Sequence, residues 1–160
     1  MADVVTLASL GKIRTYCEQV NAETGVLLGV LLQDAQEADA TLRDRLTLAD
    51  VLSNGSSEAN WSGGTAYARK EWTVVTLNTA GDQATNDRVD FSVTDPTWES
   101  AGSGGSPQSL GKLGICYAPA TGATNSNTIP LVWLDYPEVA TGSDLVITMA
   151  AQGFYRESAA

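Results

Sequence analysis

The sequence predicts a mainly β protein, folded as an antiparallel β-sandwich or a jelly-roll-like barrel of about seven or eight strands with a short helical excursion. Three observations favour this fold class. Short runs of β-branched and aromatic residues recur at spacings of about 10 to 20 residues, Gly, Pro, Asn and Asp separate them, and one stretch alone has convincing helical periodicity. A parallel sheet is disfavoured because it would need helices between its strands.

The chain has the size and composition of one domain. Its 160 residues are 43% hydrophobic, and their mean hydropathy is -0.07. Such a composition favours a packed core over global disorder. No internal repeat is visible, and we therefore predict a single β-rich domain over residues 1–160.

The first third of the chain contains a predicted hairpin and the helical excursion. Lys12–Val20 and Val26–Leu32 both have strand-type composition, and the second run is apolar enough to be buried on both faces. The helical excursion follows at about residues 36–52, with a break expected near Leu46-Thr47. Its apolar stripe recurs at spacings of four, four and three residues, at Ala38, Leu42, Leu46 and Ala49.

Loops rich in Ser, Gly and Asn alternate with the remaining strands. Residues 53–65 and 101–109 are predicted to be mobile loops, and Trp61 is expected to anchor the first of them. Around these loops we predict strands at Tyr67–Leu77, Arg88–Asp95, Leu110–Tyr117, Ile129–Tyr136 and Leu145–Tyr155.

Charge and histidine content exclude several classes of function. The chain has nine Lys and Arg against nineteen Asp and Glu, a net charge of -10, and no His. Nucleic-acid binding is disfavoured because it depends largely on cations that neutralise phosphate. The absence of histidine removes Ser-His-Asp and Cys-His catalysis and every His-ligated metal site. We expect a protein that is not an enzyme, with no catalytic, cofactor-binding or metal-binding residues.

Three apparent motifs have simpler interpretations. Gly111-Lys112 follows a glycine-rich loop, but it lacks the spacing of a phosphate-binding loop and leads into a strand. Asp90 and Asp95 are typical of exposed acids on a solvated strand face, rather than of a glycosidase pair. A calcium site is disfavoured because no known loop spacing joins its candidates, Asp82, Asp87 and Asp90.

The tryptophans divide into core residues and one candidate for surface contact. Trp72 and Trp133 lie inside strand patterns and are predicted to pack in the core. Trp98, beside the Gly102–Ser106 loop, is the candidate for contact with a glycan.

The cysteines and the apolar segments indicate which cellular compartment to expect for the protein. Cys17 and Cys116 are expected to be two free, half-buried thiols, and a disulfide between them is the alternative. Met1–Leu10 lacks a basic segment followed by an apolar run, so no secretory signal is expected. The longest apolar stretch, Val26–Leu32, is far shorter than the roughly 20 residues that cross a bilayer, so no membrane span is expected.

A set of short motifs resembles one known family through their order and spacing. In the first half these motifs are Thr47–Leu52, Glu58–Trp61 and Tyr67–Lys70. In the second half they are Asn86–Asp90, Asp95–Trp98, Leu113–Tyr117, Ile129–Leu131, Gly142–Leu145 and Ala151–Arg156. With them the chain resembles the small β-rich head decoration and head-fibre virion proteins of tailed bacteriophages, of the actinobacteriophage type. Where that family often has a histidine after the Ile-Pro-Leu strand, this chain has Val132-Trp133-Leu134.

The resemblance implies a capsid decoration protein that is made in the host cytoplasm and placed on the capsid exterior. Its partners would be the major capsid protein, whose shell it stabilises, and further copies of itself, as a homotrimer. Two alternatives stay open: a tail, neck or head-fibre component, and a glycan-binding virion protein.

Two further expectations concern the capsid. An exterior position agrees with the net charge of -10, since packaged DNA repels an acidic protein. The segment Ala2–Gly11 is apolar enough to extend toward the shell or a neighbouring subunit and add a strand to an exposed sheet edge. Alternatively, it forms the first strand of the protein's own sandwich.

Overall fold

A computed structural model describes residues 4–7, 9–61, 66–78, 88–102, 107–149 and 153–158. Within them the chain forms short helices and ten strands. In chain order these elements are β1 (Val4–Val5), α1 (Ile13–Asn21), β2 (Val26–Gln33), α2 (Asp39–Asp44), α3 (Leu48–Ser53), β3 (Lys70–Trp72), β4 (Thr76–Asn78), β5 (Arg88–Ser92), β6 (Thr97–Trp98), β7 (Gln108–Ala118), the 3-10 helix η1 (Asn125–Asn127), β8 (Ile129–Ala140), β9 (Leu145–Val146) and β10 (Tyr155–Ser158).

The strands form three sheets in which every pair is antiparallel. A five-stranded central sheet has the order β1-β8-β7-β2-β3, and the smaller sheets have the orders β10-β5-β4 and β6-β9. The predicted mainly β, antiparallel class is confirmed. The barrel alternative is wrong, because β1 and β3 are edges of the central sheet within the described part of the chain.

The central sheet is covered on both faces. On one face, Leu27 and Leu31 of β2 belong to a core that includes α1 and residues of both smaller sheets. On the opposite face, Leu28 and Leu32 pack in a second core with Leu42 of α2 and with residues of α3. The prediction that Val26–Leu32 is buried on both faces is confirmed, and this strand lies in the interior of the sheet.

The expected strand over Lys12–Val20 is wrong, since most of this segment is helix α1. Ile13, Cys17 and Val20 are buried together against the central sheet. Their spacing of four and then three residues is the period of a helix face. Strand-type residues such as Tyr16 lie between them, and this composition led to the wrong prediction of a strand.

The helical excursion over 36–52 is confirmed as two short helices, α2 and α3, with the expected break between them. The break is explained by Thr47, whose side chain accepts a hydrogen bond from the Asp50 N–H at 3.1 Å. The Asp50 carboxylate accepts one from the Thr47 N–H, also at 3.1 Å. This reciprocal capping box begins a new helix, and the helix ends at Ser53.

Two of the predicted long strands are wrong as single elements. Tyr67–Leu77 divides into β3, which pairs with β2, and β4, which pairs with β5. The chain turns at Val75, whose N–H and carbonyl both bond the Asn21 side chain, at 2.8 and 2.9 Å. Leu145–Tyr155 likewise contains β9, which pairs with β6, and the start of β10, which pairs with β5.

The other predicted segments agree more closely with the structure. Leu110–Tyr117 and Ile129–Tyr136 lie within the longer strands β7 and β8, and Arg88–Asp95 contains β5. The described part of loop 53–65 has no regular element after α3. The loop 101–109 is shorter than predicted because β7 begins at Gln108. Residues 62–65 of the first loop and 103–106 of the second lie outside the described residues.

Candidate interaction surface

Three exposed leucines lie on two neighbouring segments of the fold. Leu7, Leu10 and Leu46, here called the leucine patch, are 53%, 63% and 61% exposed. The Leu7 N–H donates to the Arg43 carbonyl at 2.8 Å, which brings the N-terminal segment against α2, three residues before Leu46. A single exposed leucine is ordinary, but a group of them is typical of an interaction site.

The segment that carries Leu7 and Leu10 is fixed to the central sheet by buried hydroxyl groups. The Thr6 hydroxyl donates to the Pro130 carbonyl at 2.5 Å, and the Ser9 hydroxyl donates to the Leu131 carbonyl at 3.0 Å. Both residues are fully buried, and the Thr6 N–H also donates to Leu131, at 3.1 Å. Leu7 and Leu10 therefore each follow directly after a residue that is fixed to the central sheet.

The structure confirms one of the two expectations for the N-terminal segment. Val4 and Val5 form β1 and pair with Trp133 and Val132 of β8, so the segment is a strand of the protein's own sheet. It is nevertheless an edge strand in the described part of the chain, directly next to the leucine patch. Its extension toward a shell or a neighbour stays a prediction.

The other large exposed apolar residues lie at hollows of the surface. Val139 and Val146 both line a hollow of 290 Å³, and Val146 also lines an adjoining hollow of 280 Å³. A hollow of 560 Å³ lies at the opposite end of β2 from Gln33, where exposed Val74 and the charged Glu23 line it. None of the three hollows brings together a set of ionisable side chains suited to catalysis.

The proposed glycan contact at Trp98 is wrong. The Trp98 side chain is buried, its Nε1 donates to the Ala68 carbonyl at 2.8 Å, and Lys70 Nζ lies 5.5 Å from the centre of its ring. It belongs to the core because β6 pairs with β9 beneath the central sheet. Part of the accompanying Gly102–Ser106 loop lies outside the described residues.

The other tryptophans agree with their predictions. Trp72 and Trp133 are buried in the core, as their strand patterns indicated. Trp61 is also buried, with its ring 5.0 Å from that of Tyr67 in an edge-to-face arrangement. This contact confirms Trp61 as the anchor of its loop.

The candidate acids do not form a common site within the described residues. Asp90 is buried, contrary to the expected wet face, and the adjacent Phe91 is buried too, so both faces of β5 are covered here. Asp95 is exposed and its Oδ1 accepts a hydrogen bond from the Met149 N–H at 2.8 Å. Asp82 and Asp87 lie outside the described residues. Among the residues that the structure covers, no group of three His, Cys, Asp or Glu could hold a metal ion.

The cysteines are free, as predicted in preference to a disulfide, but both are fully buried and not half-buried as expected. Cys17 belongs to the core on the α1 side of the central sheet, and Cys116 belongs to the core on the α2 and α3 side. Burial raises the pKa of both thiols to about 12, with a smaller contribution from Glu18 at Cys17. Both groups are consequently neutral at physiological pH.

A buried ionic cluster was missed by the sequence argument. Lys112 is 0% exposed and lies in the interior of β7; its Nζ donates to Asp135 Oδ1 of β8 and lies 2.9 Å from Asp39 Oδ1 of α2. Burial alone lowers the pKa of Lys112, but the hydrogen bonds to the two carboxylates raise it above its ordinary value. The available signal was a single lysine within an apolar strand, since such a residue must be paired when it is buried. The rejection of Gly111-Lys112 as a phosphate loop agrees with this placement in a strand.

Comparison with family models, curated proteins and solved structures gives no significant match to this chain. The resemblance to phage head proteins therefore rests on the motifs quoted above. None of the helices in the described ranges combines the length and the apolar character that a membrane span requires.

Proposed function

We propose that this chain is a bacteriophage capsid decoration protein, which binds the outer surface of the major capsid protein shell and stabilises it. The observation that carries the proposal is the leucine patch, an exposed apolar group on an ordered edge of an acidic, β-rich domain. The motif resemblance supplies the identity of the partner, and it supports assembly as a homotrimer on the capsid exterior.

The leucine patch supports a docking function because its exposure has an energetic cost in the isolated chain. Covering apolar surface contributes about 25 cal/mol per Å². Leu7 and Leu10 lie on a turn fixed by Thr6 and Ser9, so little conformational entropy is lost when a partner covers them. A pre-ordered apolar patch beside an edge strand suits a stable protein partner.

The charge supports the outer face of the shell. A net charge of -10 repels packaged DNA and also keeps decorated particles apart in solution. Stabilisation would follow from mass action, because a ligand that binds the assembled shell and not its separated subunits shifts the equilibrium toward assembly. In a homotrimer, three linked weak contacts act as one multivalent attachment.

The first test is stoichiometric. Purified protein is mixed with undecorated heads of the same phage, the particles are pelleted, and the bound copies are counted. Decoration predicts saturation at hundreds of copies per head, in a fixed ratio to the major capsid protein. Binding of a few copies, or binding that requires tails, would support the neck, tail or head-fibre alternative instead.

The second test examines the leucine patch with a matched control. Leu10→Asp and Leu46→Asp each place a charge in the leucine patch. The control, Val139→Asp, places a charge at an exposed valine of β8, outside the patch. We expect at least a tenfold weaker association with heads for the patch variants and wild-type association for the control. Equal losses for all three variants would contradict a specific role for the patch.

A glycan array serves as a third test of the alternatives. The burial of Trp98 removes the residue that favoured glycan binding, and we expect no signal above background. Reproducible binding to one class of glycan would contradict a purely structural role.

A further inference from the structure

In the cluster of Lys112, Asp135 and Asp39, the amine is more deeply buried than either carboxylate, which an ordinary ion pair does not require. The Lys112 side chain is 0% exposed, whereas Asp135 and Asp39 retain 16% and 33%. The amine nitrogen contacts one oxygen of each carboxylate. The cluster thus combines one nucleophilic nitrogen and two carboxyl groups, with the nitrogen excluded from water.

The sheet fixes two of the three groups opposite each other. Lys112 and Asp135 are register partners on β7 and β8, the two longest strands of the chain in its described part. Cross-strand partners have Cβ atoms about 4.5 to 5.5 Å apart, so their side chains are held in contact. The contact is therefore imposed by the backbone and does not depend on the choice of rotamer alone.

The third group approaches from the helical layer. Asp39 is the first residue of α2, and the chain just before it is seated on β7. The Gln36 side chain covers Gly111, where a Cβ atom would lie only 2.2 Å from it. A residue larger than glycine at position 111 would require the end of the Gln36 side chain to move.

The surroundings are apolar. Leu32 of β2 is the other register partner of Lys112. Leu32 belongs to the buried core on the α2 and α3 side, together with Leu42 and Trp133. Charges in such surroundings are costly, and a lysine with paired carboxylates there is a poor source of stability compared with apolar residues. A reaction that removes the charges of one ion pair would relieve that cost.

We propose that Lys112 and Asp135 are joined by an intramolecular isopeptide bond, formed with Asp39 as the group that transfers protons. The reaction is a condensation. One amide links Lys112 Nζ to Asp135 Cγ, and one water leaves. This covalent link is separate from the proposed capsid role and would exist in the isolated protein.

The step balances without any external reactant. The Lys112 ammonium gives one proton to the Asp39 carboxylate, which passes it to the Asp135 carboxylate, and the neutral amine then attacks Cγ of the Asp135 carboxylic acid. The tetrahedral intermediate loses one oxygen as water. Of the three protons on the original ammonium, one stays on the amide nitrogen. The other two leave with the Asp135 oxygen as water, and Asp39 returns to its starting state.

Asp135 is assigned as the reacting partner and Asp39 as the proton carrier because of their positions. Asp135 is fixed by strand register, and it is the more buried of the two carboxylates. Asp39 lies on a short helix and is more exposed, so that it exchanges protons with solvent more readily.

The test is the intact mass of the purified full chain. We expect a mass below the sequence value by about 18 Da, the mass of one water lost on amide formation. Digestion should then release a branched peptide that joins the segments containing Lys112 and Asp135. The unmodified mass in folded protein would overturn the proposal, and so would a branched peptide joining Lys112 to Asp39.

Variants separate the roles of the three side chains. Lys112→Arg retains the positive charge but should have the full mass. Asp135→Asn should condense with loss of ammonia, about 17 Da, because the amide also carries a leaving group. Asp39→Asn should retain the full mass, or lose water at least tenfold more slowly. Circular dichroism identifies any variant that does not fold, and the wild-type mass decides the proposal independently of the variants.

A half-buried lysine outside the cluster supplies the matched control. Lys70→Arg changes a lysine of β3 that lies over the Trp98 ring, outside the cluster. We expect it to show the same mass deficit as the wild type. Loss of the deficit in this variant would contradict a reaction located at Lys112.

Discussion

Cys17 and Cys116 lie on opposite faces of the central sheet, one on helix α1 and the other on strand β7. Each contributes to a different core, and the Cys116 side chain points away from α1. A disulfide requires Cβ atoms about 3.5 to 4.5 Å apart. The sheet itself therefore prevents these two residues from pairing in the folded chain.

We expect both thiols to be unreactive in the folded protein. Burial raises their pKa to about 12, so the nucleophilic thiolate is scarce at pH 8 and the sulfur is inaccessible. A thiol-specific reagent should label fewer than about one in ten molecules in native buffer and both sites in guanidinium. Rapid labelling of folded protein, or a disulfide formed under mild oxidation, would contradict the two-core arrangement.

The raised pKa values of the two thiols should also make the free energy of unfolding fall at alkaline pH. The folded pKa of each thiol is about 12, against an ordinary value of 9.0, so between these values the folded chain keeps a proton that the unfolded chain has lost. The contribution is fully present below pH 9 and is lost as the pH rises toward 12, with a slope of up to about 1.4 kcal/mol per pH unit for each thiol. Denaturant melts from pH 8 to pH 11 measure this slope.

The control for the alkaline prediction is Cys116→Ala. This variant loses packing at every pH, but the slope of its unfolding free energy between pH 9 and 11 should be shallower than that of the wild type. An identical slope would show that other groups cause the alkaline loss.

Removing the helix cap at Thr47 should destabilise the protein. Thr47→Ala deletes the hydroxyl that accepts the Asp50 N–H at the start of α3, and we expect a loss of about 1 kcal/mol. Thr41→Ala, at an exposed position inside α2, is the control and should be neutral or slightly stabilising. Urea denaturation of the two variants compares them directly.

The hydroxyl groups of Thr6 and Ser9 should affect docking without touching the partner. Both side chains are buried, so Thr6→Val with Ser9→Ala leaves the leucine patch chemically unchanged but leaves two carbonyls of β8 without these donors. We expect a loss of about 1–3 kcal/mol in stability for the pair. Because the turn is loosened, association with undecorated heads should also weaken.

The matched control for that experiment is Ser53→Ala, which removes an exposed hydroxyl at the end of α3. It should leave both stability and head association unchanged. Weakened folding in the Thr6 and Ser9 variant, with fully retained head association, would show that the ordering of this segment is unimportant for binding.

Helix α1 was wrongly predicted from the sequence as a strand. Ile13, Cys17 and Val20 have helical spacing, but the strand-type residues between them dominated the composition of the segment. Propensity differences are small for each residue and are overridden by burial against the central sheet. The spacing of the apolar residues was the better guide. By contrast, α2 and α3 were predicted, although Leu42 is the one member of the predicted apolar stripe that is buried, and Leu46 lies exposed in the break between the two helices.

The sequence alone determined the fold class, the fully buried strand at Val26–Leu32 and the exclusion of histidine-dependent chemistry. These follow from local periodicity and composition, which do not depend on distant parts of the chain. Only the tertiary structure brought Lys112 to Asp135 and Asp39, separated the two cysteines and grouped Leu46 with the N-terminal leucines. Each of these relationships depends on strand register and on which face of the sheet a layer covers. These are set by the packing of segments far apart in the chain, and a pattern within one segment does not contain that information.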